Sequence, residues 1–240
     1  MKHQKFFRCR QMMHIICLTG LGLVALFLGS VKAESDGLKV YAEGAYDYND
    51  LVLYVYADVA PTTLVSMGIK VTYDASKLTF SSAQKNEDIW YFGTPTTQFP
   101  YIDPKNICSS VVIMGGKLDT HNPTEGVTGN RILLGIVSFT RAESGDPGSS
   151  PQSYFGVNIE LGKDGEYANF VDTDGNELDE NITFSTVIHE KGDANGDGRI
   201  TSADMFKVRR LIGRDYSVFA DCNGDGHVTK DDMFCIKNKI

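Results

Sequence analysis

The chain has 240 residues, with 23 Lys and Arg against 31 Asp and Glu and a formal charge of −8. So acidic a balance excludes nucleic acid as the main partner, because phosphate binding depends on basic side chains that displace counterions.

The first 33 residues read as a removable secretory signal. Lys2, Lys5, Arg8 and Arg10 precede an apolar run from Ile15 to Leu28, and Val31-Lys32-Ala33 places small residues at the cleavage spacing. The apolar run is shorter than the ~20 residues a membrane span needs. Cleavage after Ala33 is therefore expected to release a secreted protein that does not insert in the membrane and carries 18 basic and 31 acidic residues. Composition changes again near Gly192: residues 34–190 hold 9 basic and 23 acidic residues, whereas 191–240 hold 9 and 8. That shift marks a domain boundary. The longer segment suffices for one buried core, but about fifty residues fall where folding usually wants a covalent bridge or a metal.

Three cysteines, Cys108, Cys222 and Cys235, remain after processing, and an odd count argues against a disulfide-built scaffold. Cys222 and Cys235 lie in one segment, yet sequence alone does not supply the Cα spacing a bridge needs, so buried free thiols are the expectation.

From Leu38 to Ile188 the hydrophobic pattern has period two. Residues 51–58, 66–74, 77–82, 107–116, 131–140, 154–162 and 182–189 are rich in β-branched and aromatic side chains, and clusters such as "NPTEGVTGN" separate them. Several short strands without intervening helices predict a mainly β domain, an antiparallel β-sandwich or jelly roll over 34–190. After Thr201 the period changes: Met205, Val208, Leu211 and Ile212 fall on one helical face, with Ser202 as N-cap and Gly213 as stop. The pattern then restarts. Aligning Asp193 with Asp221 at an offset of 28 matches ten of twenty positions, so 193–212 and 221–240 are two copies of one unit.

In each copy Asp, Asn and Asp stand at loop positions 1, 3 and 5 (Asp193, Asn195, Asp197; Asp221, Asn223, Asp225). Gly198 or Gly226 is at 6 and Asp204 or Asp232 at 12. A chain curling round a hard cation points alternate side chains inward and turns sharply at position 6, so this spacing predicts a calcium loop. Arg199 or His227 offers its carbonyl at position 7, and Thr201 or Thr229 serves position 9 directly or through water. Only residues 205–220 separate the loops, too few for two helices of three turns at 3.6 residues per turn. Each unit is therefore a loop followed by one helix, not a pair of ordinary EF-hands.

These residues, "GDANGDGRITSADMFKVRRLIG" and "ADCNGDGHVTKDDMFCIKNKI", resemble the duplicated segments of a type I dockerin, over 191–240. The resemblance implies two antiparallel helices clamped by two Ca²⁺ ions and calcium-dependent docking onto a cohesin domain of a scaffold protein. The partner-reading positions it implies are Ser202, Ala203, Arg209 and Arg210 in one copy and Lys230, Asp231, Lys237 and Asn238 in the other. Because the copies differ there, one docking orientation is expected.

The preceding domain has looser similarity. "GIKVTYDASKLTF" (68–80), with "RILLGIVSFT" and "DTDGNEL" further on, is similar to the strands of a cohesin-like nine-stranded jelly roll. A second interaction, with a dockerin-bearing protein or a polysaccharide, would follow. Asp172, Asp174 and Gly175 have the start of a calcium loop, but position 12 is Thr183, so a hairpin turn is the reading. Trp90, Tyr91, Phe92, Phe99 and Tyr101 concentrate aromatic rings that suit either a sugar platform or the sandwich core.

His121 and His189 are the only histidines in 34–190, and neither a Gly-x-Ser-x-Gly nor a His-Glu-x-x-His motif occurs. The expectation is a non-enzymatic assembly protein of a cellulosome-like complex associated with polysaccharide degradation. The alternatives are a dockerin-attached carbohydrate-binding module and, behind it, a small glycoside hydrolase.

Overall fold

The computed structural model describes residues 37–90, 109–117, 125–142, 159–163, 169–178 and 182–240. The predicted signal segment, Cys108, His121 and the rings of Tyr91, Phe92, Phe99 and Tyr101 lie outside the described residues. Nine strands follow in chain order among these: β1 (Lys39–Tyr46), β2 (Asp50–Asp58), β3 (Leu64–Tyr73), β4 (Leu78–Lys85), β5 (Ser110–Gly116), β6 (Ile132–Arg141), β7 (Ile159–Lys163), β8 (Val171–Asp172) and β9 (Thr183–Glu190). Two helices close the chain, α1 (Ser202–Leu211) and α2 (Lys230–Lys239). Strand β2 shows why the period is two: Leu51, Leu53, Val55 and Ala57 are buried on one face while Val52 and Tyr54 point the other way.

The strands form two sheets, one ordered β4–β6–β2–β1–β9 and one ordered β5–β3–β7, with β8 also pairing β3. A single core cluster joins them, with Leu53 and Val55 from the first sheet and Met67, Ile69, Val71 and Ile113 from the second. The sandwich is mainly β as predicted, but not antiparallel throughout: β9 lies parallel to β1, from Lys39 opposite Thr183 to Tyr46 opposite Glu190. A parallel pair needs a long crossover. Here everything between β1 and β9 supplies it, a long-range pairing that local periodicity does not reveal. The strand–turn–strand at 68–80 also differs from a simple hairpin, because β3 and β4 belong to opposite sheets. Asp74 holds the bend, accepting from the N–H and hydroxyl of Ser76 at 2.9 and 2.6 Å. The Asp172 turn is the predicted hairpin: its carboxylate accepts from the N–H groups of Asp174 and Asn176 at 2.9 and 2.8 Å, and Val171 bridges Glu177.

Trp90 corrects the sugar-platform reading at its own position. Its side chain is fully buried at 0% exposure, and its ring N–H donates to the Leu133 carbonyl at 3.2 Å. An indole is stable inside a sandwich when its one polar atom finds an acceptor, and a buried ring cannot stack on a sugar. Trp90→Ala should therefore destabilise the fold by about 3–5 kcal/mol, measured as a lowered midpoint of chemical unfolding.

Residues 36–240 form one compact unit. The chain passes from β9 into its last segment at Lys191, whose N–H donates to the Tyr46 carbonyl at 2.7 Å. That segment has its own small core of Ala194, Val208, Ala220, Cys222 and Ile236, with Ile200, Met205, Leu211, Val228 and Met233 packed around it. Of the predicted apolar stripe, Val208 is buried, whereas Ile212 stands at the helix end and is exposed. The helix start also differs by one residue: Thr201, not Ser202, is the N-cap of α1.

Candidate metal centre

The two loops repeat one hydrogen-bond scheme. In the first, Asp193 accepts from the N–H groups of Gly196, Asp197 and Gly198 at 2.9, 3.1 and 2.9 Å. In the second, Asp221 accepts from Gly224, Asp225 and Gly226 at 2.7, 3.1 and 2.9 Å. One carboxylate at position 1 thus gathers three successive amides and curls the chain round itself. Position 6 follows with φ of +81° at Gly198 and +83° at Gly226, a left-handed backbone that glycine adopts without steric cost.

Position 12 closes the loop from the other side. Asp204 takes the Asn195 N–H at 3.0 Å on one oxygen and the Thr201 N–H at 2.7 Å on the other. Asp232 does the same with Asn223 at 3.2 Å and Thr229 at 2.8 Å. Thr201 and Thr229 complete capping boxes, their hydroxyls accepting from Ala203 at 3.2 Å and Asp231 at 3.1 Å. A single aspartate in each repeat therefore ties loop to helix. Its short side chain fits because the first helical turn lies directly against the loop.

Asp197 and Asp225 at position 5 are exposed, and each takes the amide N–H₂ of Asn195 or Asn223, at 3.0 and 2.8 Å. The Asn223 side-chain hydrogen bond, followed by the His227 N–H, holds the Asp225 carboxyl below the usual carboxylate range. Arg199 and His227 are exposed and donate their N–H groups to Asp197 and Asp225 at 3.0 and 2.9 Å.

Asp193 and Asp221 are 2% exposed and Asp204 and Asp232 are 0% exposed. Burying an ionised carboxylate is costly unless its oxygens are satisfied. The hydrogen bonds above supply donors, mostly neutral amides, while lone pairs remain on each oxygen. Among the described residues no three His, Cys, Asp or Glu side chains form a preformed cluster of the kind that holds a metal. The donor set is instead oxygen only, shared between carboxylates, asparagine side chains and backbone, which suits a hard divalent cation such as Ca²⁺.

Cys222 and Cys235 form a disulfide with Cα atoms 5.9 Å apart, which corrects the expectation of free thiols. The folded segment brings position 2 of the second loop against α2, a proximity that a spacing of 13 residues does not disclose. The equivalent positions of the first copy are Ala194 and Lys207, so only one repeat is bridged.

All eight predicted partner-reading residues, Ser202, Ala203, Arg209, Arg210, Lys230, Asp231, Lys237 and Asn238, are exposed. Arg209, Lys230 and Lys237 are brought together along a surface groove of about 560 Å³ whose walls also include Met205, Ile212, Met233 and Phe234. The other five lie outside it. Sequence reasoning missed the most exposed apolar rings of the segment, Phe206 at 63% and Phe234 at 61% exposure. They are identical residues at equivalent positions in the two copies, a repeat signal with no core role to account for it.

Residues 191–240 match the family model described as dockerin type I domain. Such domains are calcium-binding, non-catalytic modules. Among solved structures, a chain from the complex of the sixth cohesin of Acetivibrio cellulolyticus scaffoldin B with the Cel5 dockerin is similar at 14% identity. That match covers 64% of this chain and 99% of the other, with a TM-score of 0.42. A chain from the Coh-OlpA-Doc918 type I cohesin–dockerin complex of Clostridium thermocellum aligns at 13% identity over 63% of this chain and 99% of that one, with a TM-score of 0.43. CaCohA2 of Clostridium acetobutylicum aligns at 15% identity over 67% and 94%, with a TM-score of 0.40. No curated protein matches the chain. Among the described residues, no helix is long and apolar enough to cross a membrane.

Replacing both Cys222 and Cys235 by alanine should lower the stability of the last segment by about 2–4 kcal/mol. The check is thermal unfolding of the oxidised parent, the reduced parent and the double variant, the last two being expected to coincide.

Proposed function

We propose that this chain is a secreted, non-catalytic assembly protein in which residues 191–240 form a dockerin module that binds a cohesin domain in a calcium-dependent manner. Residues 1–33 are its signal peptide, and residues 34–190 form a cohesin-like sandwich offering a second interaction. The observation that carries this reading is the duplicated cage: four buried aspartates, two per loop, each fixing loop amides in the same pattern. The family match over the same residues supports it.

Each loop takes one Ca²⁺, two in all. The side chains of Asp193, Asn195, Asp197 and Asp204 hold the first ion, with the Arg199 carbonyl and Thr201 contributing at positions 7 and 9. Asp221, Asn223, Asp225, His227, Thr229 and Asp232 repeat the set. Calcium supplies the positive charge that the buried carboxylates lack and stabilises the loop from which each helix starts. The helices then present Phe206, Phe234 and the groove bearing Arg209, Lys230 and Lys237 to the partner. Exposed aromatic rings and arginine are enriched in protein interfaces, and the two lysines add positive charge beside them. The partner belongs to a cellulosome-like complex, and the link to polysaccharide degradation comes through that complex, not through chemistry in this chain.

Two measurements test the reading. Calorimetric titration of the full chain with Ca²⁺ should give two sites, and Asp204→Asn combined with Asp232→Asn should remove both while leaving the sandwich folded. Immobilised type I cohesins should retain the parent in Ca²⁺ and release it in chelator. Phe234→Ala should weaken retention roughly 30-fold, the loss expected of a 2 kcal/mol anchor. Retention that persists in chelator would refute calcium-dependent docking.

A further inference from the structure

The last segment does not hang free of the sandwich. Tyr216, in the connection between α1 and the second loop, lays its ring against Tyr54 of β2 with centroids 5.1 Å apart. Its carbonyl accepts from the Arg131 guanidinium at 3.0 Å. Arg131 is itself tightly held, with two hydrogen bonds of 2.6 and 2.7 Å to the Glu43 carboxylate and a position 4.2 Å above the Tyr56 ring. The Glu43 hydrogen bonds raise the guanidinium pKa further above its usual value. Its backbone sits at φ +56°, a region a non-glycine residue occupies only when its surroundings impose it. Beneath it Tyr56 points to the outer face of the sheet yet is only 5% exposed. Burial pushes its pKa up to about 12.

The other end of the Tyr216 side chain reaches the second loop. Its hydroxyl donates to the Asp221 carboxylate at 2.9 Å, on the same oxygen that accepts from Gly226. One residue thus spans from the position-1 aspartate of a loop to a strand of the sandwich. The first loop is tied differently: Asp193 lies 3.3 Å from the ring of His189 at the end of β9. By the 28-residue offset, the counterpart of Tyr216 is Ile188 and that of His189 is Ser217. The repeat symmetry breaks where the segment meets the sandwich.

We infer that Ca²⁺ uptake by the second loop and seating of the last segment on the outer face of the five-stranded sheet are one coupled equilibrium, with Tyr216 as the positioning residue that joins them. The inference rests on the reading of the loops as calcium cages. A hydrogen bond that orients a ligating carboxylate strengthens metal binding, and here the donor is fixed in place by Tyr54 and Arg131. Linkage is reciprocal, so an ion that fixes Asp221 also favours the seated position of Tyr216 by the same factor.

Calcium titration of the full chain and of Tyr54→Ala, whose substitution lies on the sandwich and away from both cages, tests this. One of the two sites should weaken by on the order of 5-fold or more while the other stays within about 2-fold of the parent. Tyr216→Phe keeps the ring and the sandwich sequence. It should weaken the same site, and adding Tyr54→Ala to it should cost little more, because the connection is already broken. In the parent, chelation should speed backbone amide exchange across residues 212–220. Parent affinity at both sites in Tyr54→Ala, or equal weakening of both, overturns the coupling and leaves the calcium reading standing. A parent chain that takes up no Ca²⁺ overturns both.

Discussion

A carboxylate withdrawn from water must find donors for its oxygens, and the last fifty residues of this chain withdraw four of them. The cost is met within each repeat by the chain's own amides: three N–H groups turn toward the position-1 aspartate and two toward the position-12 aspartate. Everything else in the segment depends on that exchange. The loop owes its curl to Asp193 or Asp221, and the helix owes its start to Asp204 or Asp232. The small core of Val208, Ile236, Ala194 and Ala220 can form only once both helices are in place. A core of that size contributes little by itself. The Cys222–Cys235 disulfide reinforces it.

The sandwich meets the opposite problem. Its interior is apolar and long-range, closed by the pairing of the first strand with the last. Its outer face carries Tyr41, Glu43, Tyr54 and Tyr56 in neighbouring positions of β1 and β2, Tyr41 opposite Tyr56 and Glu43 opposite Tyr54. A sheet face so rich in rings is poorly suited to bare water. Arg131 and Tyr216 cover it, one through charge and the other through ring contact.

Much of this was legible in the residues. Alternation in "LVLYVYAD" marked β2 because its inner and outer faces differ so sharply, and the positions 1, 3, 5, 6 and 12 of each loop are local and repeated. The loop–helix unit was also visible from the short interval between loops. What was hidden is what distance along the chain conceals. The parallel β1–β9 pair joins segments more than a hundred residues apart. The Cys222–Cys235 bridge depends on the angle between a loop and a helix, and Tyr216 acquires a role only when Tyr54, Arg131 and Asp221 come together. Trp90 stayed open between two roles because an aromatic run reads alike whether its rings face a sugar or a core.

Only Lys191 and Gly192 separate the end of β9 from the first cage aspartate. Lys191 is held from several sides: its N–H by Tyr46, its side chain 3.5 Å from Asp47, and its carbonyl by Lys239 of α2 at 2.6 Å. A flexible tether lets its cargo sweep a volume that grows with length. A two-residue joint fastened in this way sweeps almost none. Whatever grips the helices is therefore held at a set angle to the sandwich.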